Sequence, residues 1–245
     1  MTNKLENRLM GIQGAKGSFN HQAIKTVMLA ALQETVYALA EQITDENIAF
    51  LCNTHNVLIA VLNADVLYGQ FAIYNSTGGL VEETATAINS LNEAKDCLVL
   101  ATAEMDIEQC LILRDGVSLE EIDTIMSHPQ SIKQCQQYIK NLNLRRLEKG
   151  KAKFNVSSGE GEQIDHAVVA EQLSSGELSS STAVIGPVIL AKQYPNLKIE
   201  AQAINDNQDN RTLFVLVALT ETLQKEFPEI YTQELQRLGQ LFASL

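Results

Sequence analysis

Asp123-Thr-Ile-Met-Ser-His-Pro-Gln-Ser-Ile-Lys-Gln-Cys-Gln-Gln-Tyr-Ile139 opens as a short apolar β-like segment and turns through Ser127-His128-Pro129-Gln130. It continues with apolar residues at Ile132, Cys135 and Ile139, a spacing that puts them on one face of a helix. Pro129 has no backbone N–H and is tolerated in a first helical turn, so the helix is expected to start just after His128. The unit is strand, polar turn, helix. Free backbone amides at such a start favour an anion, with the Ser127 hydroxyl beside them. Ser127 as a plain helix cap and His128 as a structural residue are the alternatives.

Any acidic ligand would need local devices of this kind, because the 245-residue chain has 18 Lys+Arg against 30 Asp+Glu and a formal charge of -12. That balance argues against nucleic-acid binding, which needs a basic surface. With 45% hydrophobic and 20% charged residues the composition is that of a folded protein, long enough for one large domain or two lobes. The segment Met1 to Leu9 lacks the apolar core of a signal peptide and no later run reaches spanning length. A cytoplasmic protein without membrane association is expected. Cys52, Cys97, Cys110 and Cys135 are scattered, form no Cys-x-x-Cys pair and are expected as buried free thiols.

Toward the amino terminus, Leu9 to Ile12 suits a short strand that enters a turn with Gly14 and Gly17, followed by a helical pattern through Leu32. Ser18 is placed to cap or to bind an anion. The glycine spacing fits neither the dinucleotide fingerprint nor the phosphate loop. Phe71 to Val81 combines an apolar strand with a polar turn, before a helix with Ala85, Ile88 and Leu91 on one face. Asn75, Ser76 and Thr77 offer neutral donors and acceptors at that strand end, although ordinary turns use the same residues. Thr54 to Leu62 suits a turn and short helix in which His55 is structural. His21, His55, His128 and His166 form no local ligand array, so no metal is expected.

Leu98 to Ala103 and Gln109 to Leu113 suit strands, and Ser118 with Glu121 forms a capping box. The basic run Asn143 to Lys153 suits a solvated helix end. Asn155 to Glu162 suits a flexible connection with Ser157 and Ser158 as weak candidate contacts, and His166 to Leu173 a helix. Leu197 to Ala203 and Thr212 to Leu219 suit strands. Ile230 to Leu241 suits an amphipathic helix able to support a homodimer.

Four of these segments carry a family resemblance. Gly14-Ala-Lys-Gly-Ser-Phe-Asn-His-Gln-Ala23, Ile73-Tyr-Asn-Ser-Thr-Gly-Gly79, Ser127-His-Pro-Gln130 with Gln134-Cys135, and Asp206-Asn-Gln-Asp-Asn-Arg-Thr-Leu-Phe214 resemble, in order and separation, the motifs of the prephenate dehydratase superfamily. The resemblance implies a two-lobed α/β fold, periplasmic-binding-protein type II-like, with an interlobe substrate cleft. It implies a first lobe over 1–105, a second over 106–195, a return segment over 196–220 completing the first, and a helical tail over 221–245 too short for the ACT regulatory domain. Prephenate is the implied small-molecule substrate, with no cofactor and no metal. Ser18, Asn75, Ser76, Thr77, Ser127, Arg211, Leu213 and Phe214 are the implied substrate contacts, and Thr212, His128 and Tyr74 the implied catalytic residues.

Two departures from the family pattern set the expected chemistry. Dehydratases carry Thr-Arg-Phe where this chain has Thr212-Leu213-Phe214, and Tyr74 stands in place of the glutamate of Ile-Glu-Asn-Ser. Leucine supplies neither charge nor guanidinium hydrogen bonds. In this the chain is similar to the nonaromatizing prephenate decarboxylases of specialised metabolism, which keep the ring hydroxyl, protonate a ring carbon and form a dihydro-4-hydroxyphenylpyruvate. A dehydratase expels the hydroxyl and forms phenylpyruvate. Arg211 shares a strand face with Leu213 and is either a compensating charge in an ordinary dehydratase or a solvent-facing strand residue. An inactive prephenate-binding protein is the third alternative. The proton donor is open among His128, Tyr74, Thr212 and ordered water.

Overall fold

The computed structural model describes residues 9–35, 43–91, 96–158 and 165–226, together with 228, 229, 231 and 232. Its contacts divide the chain into two compact units. One holds the described residues up to Gly14, those from Ala23 to Met105 and those from Thr212 onward; the other holds Ala15–Gln22 and Asp106–Arg211. The described strands are β1 (Met10–Gln13), β2 (Ile48–Leu51), β3 (Tyr68–Asn75), β4 (Gly79–Leu80), β5 (Cys97–Asp106), β6 (Cys110–Arg114), β7 (Thr124–Met126), β8 (Asn155–Ser157), β9 (Thr182–Gly186), β10 (Leu197–Ala201) and β11 (Arg211–Leu219).

The first sheet has the order β2-β1-β3-β11-β5, with β4 on β3. Strands β1, β2 and β3 are parallel, whereas β11 returns antiparallel to β3 and brings Thr212 opposite Asn75. Leu213 pairs with Tyr74 but Phe214 with Ala72, so Ile73 is an extra residue and the strand ends beyond this bulge are re-aimed. Val215 and Val217 of β11 pack with Phe71, with Val57 and Leu58 of the helix Thr54–Leu62, and with Ala87 of the helix Glu82–Ser90. Burying each such large apolar side chain contributes about 1.5–3 kcal/mol. The helix that opens at Phe19 reaches Thr35 and contains a π-type stretch over Ile24–Met28.

The second sheet has the order β10-β6-β9-β7-β8, antiparallel from β10 to β9 and parallel from β9 to β8. Every residue of Cys110-Leu-Ile-Leu113 is fully buried. Leu111 and Leu113 join Ile125, Cys135, Ile139 and Leu142 on one face, whereas Cys110 and Ile112 join Ala167, Val169, Leu173 and Leu190 on the other. Burial on both faces is why this strand reads as a continuous apolar run. The central stretch folds as strand β7, the helix Pro129–Gln134, a break at Cys135 and the helix Gln136–Glu148. One apolar face does run through Cys135 and Ile139 as expected, on two helices and not one.

Several boundaries differ from the sequence expectation. Strand β10 pairs with β6, and Leu197 packs with Cys110 and Ile112, so residues from 196 to Arg211 belong to the second unit. Ala15–Gln22, expected in the first lobe, also groups with the second unit. Asn155–Ser157 is a parallel edge strand and not a flexible connection, while 159–164 lie outside the described residues. So does the expected helix Ile230 to Leu241, apart from Tyr231 and Thr232. The Ser118–Glu121 capping box is present on a short 3-10 turn. The basic run does more than face solvent: Arg146 lies 4.2 Å over the Phe154 ring and donates to the Ile122 and Ala152 carbonyls. Among the described residues no helix is long and apolar enough to cross a membrane.

All four thiols are free, but only Cys110 and Cys135 are buried; Cys97 is half-buried and Cys52 exposed. Burial pushes Cys110 up to about 11 and Cys135 up to about 12, so neither is a thiolate at neutral pH. In a thiol-reagent titration Cys52 is expected to react in the folded protein, and Cys110 and Cys135 only after denaturation. Rapid labelling of Cys135 without denaturant would contradict its place in the core.

Candidate functional site

In the first unit the chemistry gathers at the ends of β3 and β11. Asn75 Nδ2 donates to Thr212 Oγ1 at 2.9 Å, and Asn75 Oδ1 accepts from the Thr77 and Gly78 amides at 3.0 and 2.9 Å. One side chain therefore fixes both the turn and the threonine hydroxyl. Thr212 is 7% exposed and accepts at its oxygen, which leaves its own O–H to donate. Leu213, half-buried, is paired with the exposed Tyr74, and Ser76 and Thr77 are exposed in the turn. Phe214 is 1% exposed; it is a core residue, which corrects its expected place against substrate. Arg211 Nε lies 3.1 Å from Asp106 Oδ1 in an exposed ion pair, the solvent-facing alternative for this residue.

A polar network that the sequence did not single out braces this strand end. Gln13 Oε1 accepts from the Ala72 amide at 3.3 Å, and its Nε2 donates to Glu83 Oε2 at 2.7 Å. The other Glu83 oxygen accepts from the Thr54 amide at 2.6 Å, so the start of the helix Thr54–Leu62 already holds a carboxylate of its own chain. Thr84 Oγ1 donates to the Ala72 carbonyl at 2.7 Å and is 2.9 Å from Thr54 Oγ1. These partners come from four separate segments. The acidic start of the helix Glu82–Ser90 was their one local sign.

In the second unit, Gly17 N–H donates to His21 Nδ1 at 3.0 Å and Ser18 Oγ accepts from His21 N–H at 3.3 Å. Ser18 is thus a buried helix-start residue. Asp165 Oδ2 accepts from the Ala15 amide at 3.4 Å and Oδ1 from the Ala167 amide at 2.9 Å, joining the glycine turn to the start of the helix His166–Ser175. Ser127 is fully buried; its hydroxyl donates to the Ile185 carbonyl and its amide to the Ser157 carbonyl at 3.2 Å. This corrects the expected anion contact: the Ser127 proton is committed to fastening β7, β8 and β9 together. His128 caps its helix, with Nδ1 accepting from the Gln130 amide at 3.1 Å, so the neutral ring carries its proton on Nε2. That bond occupies one of the helix-start amides that the sequence offered to an anion.

His166 was expected only as part of a helix, yet the residue is 8% exposed and its ring is edge-on to Phe19, with centroids 5.4 Å apart. Burial pushes its pKa below the ordinary imidazole value, Asp165 opposes this and the nearby His128 adds to it. Among the described residues its Nε2 has no hydrogen-bond partner. Leaving such a buried polar atom unsatisfied costs about 1–3 kcal/mol. No group of three or more His, Cys, Asp or Glu side chains converges among the described residues.

Each α/β unit by itself presents hydroxyl, amide or imidazole groups at strand ends and helix starts. Residues 10–222 match the family described as prephenate dehydratase, and the chain belongs to that family. The prephenate dehydratase of Methanocaldococcus jannaschii is 32% identical over 149 residues, which are 61% of this chain and 47% of that protein. A bifunctional chorismate mutase/prephenate dehydratase of Enterobacter agglomerans is 22% identical over 206 residues, 84% of this chain and 45% of that one. The chain spans less than half the length of these curated relatives. The crystal structure of prephenate dehydratase from Arthrobacter aurescens in complex with L-Phe has the same fold, with a TM-score of 0.65, 23% identity, and coverage of 86% of this chain and 60% of that one.

Proposed function

We propose that this protein is a lyase acting on prephenate and that it carries out the nonaromatizing decarboxylation. The observation that carries this reading is the pairing at the β11 start. Thr212 is held by Asn75, its neighbour is the apolar Leu213, and the one arginine of that strand end is engaged with Asp106. In both reactions of prephenate the ring carboxylate leaves as carbon dioxide and its bonding electron pair enters the ring. In a dehydratase those electrons expel the hydroxyl, which takes up a proton and departs as water. In the nonaromatizing reaction they end on a ring carbon, which takes up the proton, and the hydroxyl stays. A guanidinium beside the leaving group favours the first course by stabilising developing negative charge; leucine does not.

The Thr212 O–H is the group placed to hold the hydroxyl. Asn75 positions it, Ser76 and Thr77 offer donors to a carboxylate, and Tyr74 with Leu213 forms a mixed apolar and polar pair on the opposite face of the strand end. The proton for the ring carbon comes from solvent or from a side chain in its acidic form, which for a histidine is the imidazolium. The dehydratase alternative is favoured by the names of the relatives.

Product analysis by NMR and mass spectrometry after incubation with prephenate separates the two. Dihydro-4-hydroxyphenylpyruvate is expected from the wild type, and Leu213→Arg is expected to lower its formation about tenfold or more. Phenylpyruvate from the wild type would return the protein to dehydratase chemistry, and binding without turnover would make it a binding protein. Unchanged products and rate in Leu213→Arg would remove that residue from the mechanism.

A further inference from the structure

Between the helix Gln136–Glu148 and the edge strand β8 the second unit carries an open groove of about 400 Å³. Ile139, Leu144 and Leu147 line it from the helix and Val156 from the strand. Leu144 is 50% exposed, Leu147 47% and Val156 38%, so apolar side chains from two elements face water together. Single exposed leucines are ordinary; several lining one concavity mark a surface that binds. Lys140, four residues before Leu144, shares its helix stripe, and Lys153 lines the groove from the segment before β8. These two lysines have no ion pair among the described residues, whereas Lys149 and Lys151 are both held by Glu120. The Asn155 amide is bonded to the Asp123 carbonyl and the Ser157 carbonyl to the Ser127 amide, at the two ends of β7. The Val156 N–H between them therefore points away from β7, to the open edge of the sheet.

We propose that this groove binds a small amphipathic carboxylate, its apolar body on Ile139, Leu144, Leu147 and Val156 and its charge at Lys140 and Lys153. Charge selects the sign of the ligand. In a chain with a formal charge of -12, two lysines left without carboxylates beside apolar surface make a local positive spot. Their stems extend the apolar lining while their ammonium groups stay free to meet an anion. The outward Val156 amide adds a neutral donor next to them. Size selects the class of ligand. A groove of about 400 Å³ falls within the range of about 300–1,000 Å³ for small-molecule sites, whereas a specific protein interface buries at least about 1,000 Å². A second copy seated through the same groove would set lysines against lysines across a two-fold axis, which opposes that pairing.

Amide NMR of the full chain, titrated with hexanoate, octanoate and octylammonium, tests this. Octanoate is expected to shift the Leu144, Leu147 and Val156 amides saturably, with affinity rising about two- to fourfold for each methylene added from hexanoate. Octylammonium has the same body and the opposite charge, and is expected to bind about tenfold or more weakly. Lys140→Gln combined with Lys153→Gln is expected to lower octanoate affinity about tenfold and to abolish its preference over octylammonium. Both lysines are exposed, so the fold should survive; if it does not, the three ligands on wild type decide alone. Equal binding of octanoate and octylammonium, an affinity that ignores chain length, or shifts that fall elsewhere on the chain would overturn the proposal. So would a dimer in sedimentation whose formation shifts these same amides, since the groove would then be an interface between copies.

Discussion

Thr212→Val is expected to lower turnover of prephenate about a hundredfold or more while leaving the fold in place. The substitution keeps the shape of the side chain and its β-branch, which suits a strand position. It removes one oxygen. That oxygen accepts from Asn75 Nδ2 at 2.9 Å, so the stability loss should be about 1 kcal/mol, the usual net value of one hydrogen bond. Asn75 Oδ1 still holds the Thr77 and Gly78 amides, and the turn survives. The loss of activity should appear in kcat more than in KM if the hydroxyl acts on the reacting centre. Thr212→Ser should restore much of it. Asn75→Ala should also slow turnover through Thr212, so the double variant should be little worse than Thr212→Val alone. Turnover within a few-fold of wild type in Thr212→Val would take the hydroxyl out of the mechanism.

The parts of this site that were legible in the sequence are those whose partners lie within a few residues. Pro129 and the apolar spacing at Ile132, Cys135 and Ile139 announced the helix after His128, and Ser118 with Glu121 announced its turn. Asn75 was visible as a turn residue for the same reason, since its Oδ1 partners are two and three positions away. The family motifs carried the rest of the site list. What local pattern could not supply was direction. The Ser127 hydroxyl donates to a carbonyl 58 residues away, and the Ala15 amide finds its carboxylate 150 residues away. Such pairings decide that Ser127 fastens strands and that the glycine turn belongs with the second unit. His166 shows the limit most clearly. In sequence it is one residue at a helix start, and only the folding of Phe19 and Gly186 against it turns it into a buried imidazole.

The largest effect on stability is expected at a residue with no chemistry of its own. Gly69 sits inside β3, paired with Gly11 on one side and Val217 on the other. A Cβ there would lie 2.8 Å from Val57 Cγ1 and 2.9 Å from Val61 Cγ2, and 3.4 Å from Val217 Cγ2. Val57 and Val61 are four residues apart on the helix Thr54–Leu62, so both methyls press on the strand from one helix face. Valine in a helix has one strongly preferred rotamer and cannot swing aside. The missing side chain is what lets the helix lie this close to the sheet. Gly69→Val should therefore push the helix away and destabilise the protein by about 3 kcal/mol, the upper part of the range for overpacked cores. Gly69→Ala should cost less, about 1 kcal/mol, because it adds only the first of those atoms. Urea unfolding followed by circular dichroism would read this as a lower midpoint with little change in slope. The damage should also reach the site. The same helix starts at Thr54, whose amide holds Glu83, and Glu83 holds the Gln13 side chain that braces β3 at Ala72. A displaced helix loosens that chain of bonds three residues before Asn75, so turnover should fall in Gly69→Val even at temperatures where the variant is folded. A variant as stable and as active as wild type would mean that helix and strand are not packed at this distance.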